Sequence, residues 1–189
     1  MGFENINIIT DATGASAKTA RQDRLPSGGI QASEQMAKTD LERVKRYKDM
    51  IQRVGRDLKI DPALIAGIIS RESRAGNVLK NGWGDHDRAW GLMQVDVSPT
   101  GGNHTKKGDW NSEEHLRQAT GILQYFIDRI GKKFKDWTEA QQLKGAIAAY
   151  NTGDGRVDSY SKVDENTTGK DYSNDVVARA RWYKIHLFN

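Results

Sequence analysis

The chain has 189 residues, a formal net charge of +4 and a mean hydropathy of −0.74. That length suits one domain with a sizeable core, and no apolar run approaches the roughly 20 residues that span a bilayer, so no membrane partner is expected. The absence of cysteine excludes disulfides, thiolate metal sites and cysteine nucleophiles.

Residues 1–32 mix glycine, serine, threonine, aspartate and charges without a sustained period, which predicts an irregular N-terminal arm. A short helix is expected after Ser33. Thr39-Asp40-Leu41-Glu42 reads as a capping box that opens a helix to about Leu58, with Leu41, Val44, Tyr47, Ile51 and Val54 facing inward. Asp61 and Pro62 restart the chain as N-cap and first residue of an apolar helix that Gly76 ends. Residues 76–109 break the helical period, with glycines at 82, 84, 91, 101, 102 and 108. Trp90 to Asp96 is short enough for one strand, so a small antiparallel sheet or hairpin region with long loops is expected. Asn111-Ser112-Glu113-Glu114 reads as a second capping box, before a helix carrying Leu116, Ile122, Leu123, Phe126, Ile127 and Ile130. Thr138-Glu139-Ala140-Gln141 caps a third strong helix, apolar through Leu143, Ile147 and Tyr150. Ser173 to about Leu187 reads as a final amphipathic helix. The sum is a mostly α (α+β) fold over 1–189, one domain with a small antiparallel β/loop region around residues 76–109.

Within the apolar helix, Ile65, Ile68 and Ile69 share one face and Glu72 continues that stripe. A carboxylate there loses hydration, and it sits in the last turn, where the helix dipole disfavours negative charge. Both effects push its pKa upward, as a general acid near neutral pH requires. Taken alone, an ion pair with Arg71 or Arg74 is the better explanation of the residue. Two aspartates change the balance. Asp85 and Asp96 follow within one loop-and-strand segment, among glycines that permit close approach. One apolar carboxyl group and two polar ones form the set that glycoside hydrolysis uses. Asp96 follows a strand-like segment, so its position is expected to be the better fixed of the two. Asp85-His86-Asp87 makes a poor metal shell without distant ligands, so no metal is expected, and nothing points to a cofactor.

These residues carry a resemblance. Positions 68–76 (Ile-Ile-Ser-Arg-Glu-Ser-Arg-Ala-Gly), 82–85 (Gly-Trp-Gly-Asp), 91–96 (Gly-Leu-Met-Gln-Val-Asp) and 148–151 (Ala-Ala-Tyr-Asn) look like the goose-type (g-type) lysozyme family. Positions 13–20, 141–145 and 174–180 resemble it too, so the likeness runs over nearly the whole chain. It implies a lysozyme-like helical domain that cleaves the β-1,4 bond between N-acetylmuramic acid and N-acetylglucosamine in bacterial peptidoglycan, in antibacterial defence. It assigns Glu72 as general acid and Asp85 and Asp96 as the groups that hold and activate water, with inversion. It also implies substrate contacts at Gln94, His104, Tyr150 and Asn151, with apolar or stacking surface from Phe126 and Tyr172. Trp83 and Trp90 read as structural supports beside the aspartates. Chitin oligosaccharides are a second candidate partner, and a monomer is expected. Better-known secreted members of the family carry disulfides in the N-terminal half. Here the matching neighbourhoods hold residues such as Ala17, Gly28 and Lys59, so helix packing alone is expected to hold the fold.

Two alternatives share these features: a lytic transglycosylase, in which the glutamate acts without water, and a non-catalytic wall-binding module. The two aspartates favour hydrolysis over both. The basic residues are spread among acidic ones, which predicts no nucleic-acid partner. Residues 1–20 show no apolar signal-peptide core, and the lack of cysteine fits a reducing compartment, so secreted and cytoplasmic locations both stay open.

Overall fold

In the computed structural model, which describes residues 2–189, the fold is organised around two crossing helices. The first, α4 (Pro62–Ser73), begins as its signals predict: the Asp61 carboxylate accepts the Ala63 N–H at 2.9 Å and Pro62 takes the first position. Every residue from Ala63 to Ser70 is buried, which is why this stretch is apolar on all sides. Arg74, in the left-handed conformation, ends the helix two residues before Gly76. The second, α7 (Tyr172–His186), packs against it more extensively than any other element does. The two backbones approach most closely at Gly67, where an added Cβ would lie 2.9 Å from both the Ala180 Cβ and the Val176 carbonyl oxygen. Gly67→Ala should therefore destabilise the protein by about 1–3 kcal/mol, even though alanine is the better helix former. A urea midpoint equal to or above that of the parent would contradict this crossing.

Around this pair lie α1 (Ala17–Ala20), α2 (Ile30–Lys45), α3 (Lys48–Leu58), α5 (Glu113–Lys133) and α6 (Glu139–Thr152). The sequence placed a helix start at Thr39, but α2 begins ten residues earlier, after Gly29 at φ 110°. Thr39 bonds the Gln35 carbonyl of the preceding turn at 3.0 Å instead of capping. The break falls at 46–47, and Val44, Ile51 and Val54 are buried across it as their spacing predicts. The start of α5 is capped by Ser112, whose hydroxyl accepts the His115 N–H, one position later than the expected box. The Thr138–Gln141 box is present with both of its bonds. The N-terminal arm is more ordered than its composition indicates. It contains three 3₁₀ turns, Gly2–Glu4, Ile6–Ile8 and Arg21–Asp23, and its Ile6 and Ile9 are buried in the main core. The Ile6 N–H reaches the Asp61 carboxylate at 2.7 Å, which ties the arm to the start of α4.

The expected amphipathic pattern of α7 is overturned. Its apolar residues Tyr172, Val176, Val177, Ala180 and Tyr183 are buried, but so are Ser173, Asp175 and Arg179. The polar stripe faces an internal network rather than water. Arg179 bridges Asp175 at 2.9 Å and donates to the Ser70 hydroxyl at 3.1 Å. Asp40 receives Arg74 at 2.8 Å and Arg43 at 2.7 Å. Arg71 reaches Asp175 at 2.8 Å and Asp171 at 3.0 Å. A buried ionic cluster thus joins α2, α4 and α7 beside their apolar packing.

Between α4 and α5 the chain forms a three-stranded antiparallel sheet, β1 (Trp83–Gly84), β2 (Ala89–Trp90) and β3 (Val95–Asp96), in that order. The stretch from Trp90 to Asp96 is not one strand. Trp90 pairs with Val95 across a turn in which Gly91 (φ 84°) and Gln94 (φ 54°) adopt left-handed backbone. No helix among the described residues is long and apolar enough to cross a membrane.

Candidate active site

Glu72 sits in the last turn of α4, partly buried, with its side chain beyond the Ile68–Ile69 face. Its flanking arginines do not neutralise it. Arg71 is spent on Asp171 and Asp175, and Arg74 on Asp23 and Asp40. Glu72 instead accepts one hydrogen bond at Oε2, from the Tyr172 hydroxyl at 2.8 Å. Oε1 has no partner among the described residues. Burial pushes the carboxyl group up to about 7, against the Tyr172 bond and the Arg71 charge, and the negative charge of Asp85 adds to the rise. Near neutrality a substantial fraction of the group is therefore protonated, with one oxygen anchored and one free.

Asp85 follows β1 on an exposed turn. Asp85, His86 and Asp87 all have left-handed backbone, with φ of 49°, 54° and 65°. Each such non-glycine residue costs roughly 1 kcal/mol, a strain that clusters at functional loops. The Asp85 carboxylate makes no hydrogen bond or ion pair among the described residues. Asp96, on β3, is held firmly. Oδ1 accepts the Ser98 N–H at 2.9 Å and hydroxyl at 2.6 Å, and Oδ2 accepts the Gly102 N–H at 2.8 Å. Burial alone would raise its pKa, but these bonds and the nearby His104 hold it below the usual carboxylate range. The two aspartates thus differ in bonding, Asp96 accepting three hydrogen bonds and the Asp85 carboxylate none among the described residues.

The other predicted contacts divide. Tyr172 and Tyr150 come together with Glu72; burial, and after it the charge of Glu72, raise both phenols well above their ordinary value. Tyr172 is 1% exposed, so its hydroxyl orients the acid while its ring packs in the core under the Arg71 guanidinium. The Tyr150 hydroxyl donates to the Met93 carbonyl at 2.7 Å. Asn151 is bonded to the Thr168 N–H and hydroxyl across the loop before α7. Gln94 spends its amide hydrogens on the Ala89 and Gly91 carbonyls, bracing the β2–β3 turn. The His104 N–H bonds the Asp96 carbonyl at 3.0 Å, which places this half-buried residue beside the aspartate. Phe126 packs against a separate core cluster with Ile130, Ala146 and Val157, and among the described residues no hydrogen bond or ring contact joins it to the Glu72 group. Trp83 and Trp90 form an edge-to-face pair 4.7 Å apart, and the Trp90 indole N–H donates to the Gly108 carbonyl, so both brace the sheet.

Sequence reasoning missed His115. Its ring is fully buried against Gly91, and Nε2 accepts the Met93 N–H at 3.0 Å. The available signal was a lone histidine four residues before Ala119, on the buried stripe of α5.

A half-buried carboxyl group at the end of a core helix, with an unbonded aspartate near enough to raise its pKa, matches the pattern of a helical glycoside hydrolase of lysozyme type. A sequence model of the lysozyme g family matches residues 3–186. A lysozyme g of Epinephelus coioides is 60% identical over 190 residues, covering 97% of each chain. One from Takifugu rubripes is 59% identical over 177 residues, covering 93% of each. One from Gallus gallus is 52% identical over 176 residues, covering 93% of this chain and 82% of its own. The chain belongs to the lysozyme g family. It is an enzyme, a lysozyme acting on peptidoglycan.

Proposed function

We propose that the chain cleaves the β-1,4 bond between N-acetylmuramic acid and N-acetylglucosamine with inversion, as one catalytic domain. The carrying observation is the contrast between Glu72, raised to about 7 with Oε1 free, and Asp85, exposed and unpartnered. Glu72 gives its proton to the leaving glycosidic oxygen through Oε1 while Tyr172 holds Oε2. Water attacks the anomeric carbon from the opposite face and passes a proton to a carboxylate. Asp85 suits that base role better than Asp96. Three hydrogen bonds already occupy the Asp96 oxygens and lower its basicity. Asp96 then serves by fixing the loop that carries His104 and by placing the water. Gln94, His104, Tyr150, Asn151 and Phe126 remain proposed substrate contacts. The local bonding favours His104 among them, and it assigns Gln94, Tyr150 and Asn151 a mainly bracing part. Chitin oligosaccharides share the N-acetylglucosamine unit and are a proposed second substrate.

Proton NMR of the first-formed product tests the stereochemistry. A β-linked substrate should give the α anomer first. Early accumulation of the β anomer would sink the inverting reading, and a muropeptide product lighter by one water would point to transglycosylation.

A further inference from the structure

The turn between β2 and β3 is held from outside by its two central residues. The Leu92 N–H donates to the Trp110 carbonyl at 3.0 Å, and the Leu92 carbonyl accepts the Ser73 hydroxyl at 2.8 Å. The Met93 N–H donates to His115 Nε2 at 3.0 Å, and the Met93 carbonyl accepts the Tyr150 hydroxyl at 2.7 Å. All four backbone polar groups are therefore bonded beyond the hairpin. Ser73 is the neighbour of Glu72, Tyr150 lies beside it, and β3 with Asp96 begins two residues after Met93.

His115 is the costly member of this set. Because Nε2 accepts, the ring proton resides on Nδ1, and Nδ1 is buried without a hydrogen-bond partner. An unsatisfied buried donor is unfavourable, and an apolar side chain would avoid it. What the imidazole supplies in return is the acceptor for the Met93 N–H. The ring also fills the space of a Gly91 side chain, since a Cβ there would lie 2.4–2.6 Å from three ring atoms. Ring and turn consequently cannot shift independently.

We propose that His115 is a positioning residue for catalysis: its acceptor nitrogen holds Met93, and through the hairpin it sets the aspartates relative to Glu72. This rests on the reading that Asp85 and Asp96 handle the attacking water. The test compares His115→Gln, whose amide oxygen can replace the acceptor, with His115→Phe, which keeps volume but accepts nothing. His115→Met replaces the phenylalanine variant if that one does not fold. Rates are measured on soluble peptidoglycan fragments well below each variant's melting temperature, with amide exchange followed at Met93. The glutamine variant should keep kcat within about threefold. The phenylalanine variant should lose at least about tenfold in kcat with KM little changed, and its Met93 amide should exchange faster, because small misplacements of reacting groups are costly. A phenylalanine variant with parental kcat, or a glutamine variant no better than it, would overturn the proposal. Asp85→Asn and Asp96→Asn are run beside them. If both keep full activity, the water-handling reading has failed; if either loses activity while His115→Phe does not, positioning has failed.

Discussion

Glu72→Gln should abolish wall clearance and at the same time stabilise the protein at and above neutral pH. Removing a general acid costs on the order of 10²–10⁴-fold in rate, and glutamine cannot donate the proton. The stability effect follows from the raised pKa. An unfolded chain returns this carboxyl group to its ordinary value of 4.5, whereas the fold holds it near 7. Below 4.5 it is protonated in both states and carries no penalty. Between 4.5 and about 7 the folded state binds the extra proton, so stability falls as pH rises, and above 7 the loss is complete. It amounts to at most about 3 kcal/mol, less whatever solvent screens at this half-buried position. Glutamine removes that loss, so the variant's melting temperature should exceed the parent's at pH 8 and match it more closely at pH 4. The parent's kcat should decline as pH rises through about 7, because the acid form is then depleted. Turbidity of a Gram-positive wall suspension and calorimetry at the two pH values measure both halves. Equal clearing by parent and variant would remove Glu72 from the mechanism. An identical melting difference at both pH values would remove the pKa argument.

Arg179→Met should destabilise the fold by about 3–5 kcal/mol, the largest stability effect expected of a single replacement here. Arg179 is 0% exposed and bonds Asp175 and Ser70, with Asp40 a further 3.9 Å away. Its removal takes one of two cations from the buried Asp175 and the most distant of three from the buried Asp40. Asp175 would keep only Arg71 and the Ser33 hydroxyl, and Asp40 would keep Arg74, Arg43 and the Ser70 hydroxyl. The burial of Asp175 raises its pKa, but Arg179 and Arg71 hold it below the ordinary value, so the loss should be greatest at neutral pH and shrink in acid, where aspartate can take a proton. Adding Asp175→Leu should recover part of the stability, because a buried pair replaced by apolar groups costs less than a pair broken on one side. Chemical denaturation of the two variants at pH 7 and pH 4 decides this. A single variant within about 1 kcal/mol of the parent would show that the ionic cluster contributes little.

Much of the site was legible in the chain because its signals are local. The i, i+3 and i+4 spacing that puts Glu72 on the face of Ile68 and Ile69 depends only on helix geometry, and the Asp61–Pro62 start defines that helix without tertiary help. The glycines that break the period from 76 onward marked a sheet-and-loop region, and three short strands lie there. The misread parts share one cause. Thr39 looked like a cap because its local pattern is a cap's, but packing of α2 against α4 and α7 carries the helix through it. The polar stripe of α7 looked solvent-facing because Asp175 and Arg179 are charged, and nothing local reveals that Arg71, Ser33 and Ser70 receive them.

The sequence by itself therefore pointed to the carboxyl groups of the proposed mechanism, through residue type, spacing and family resemblance, and to most of the helices, and its lack of cysteine excludes any disulfide. Only the tertiary structure decided how those carboxyl groups differ. The arginines beside Glu72 turn toward other carboxylates, Tyr172 arrives from 100 residues away to hold one oxygen, Asp96 is consumed by its loop while Asp85 stays free, and His115 fastens the hairpin. A pKa is set by the dielectric and by charges within a few ångströms, and in a folded chain those neighbours come from distant positions.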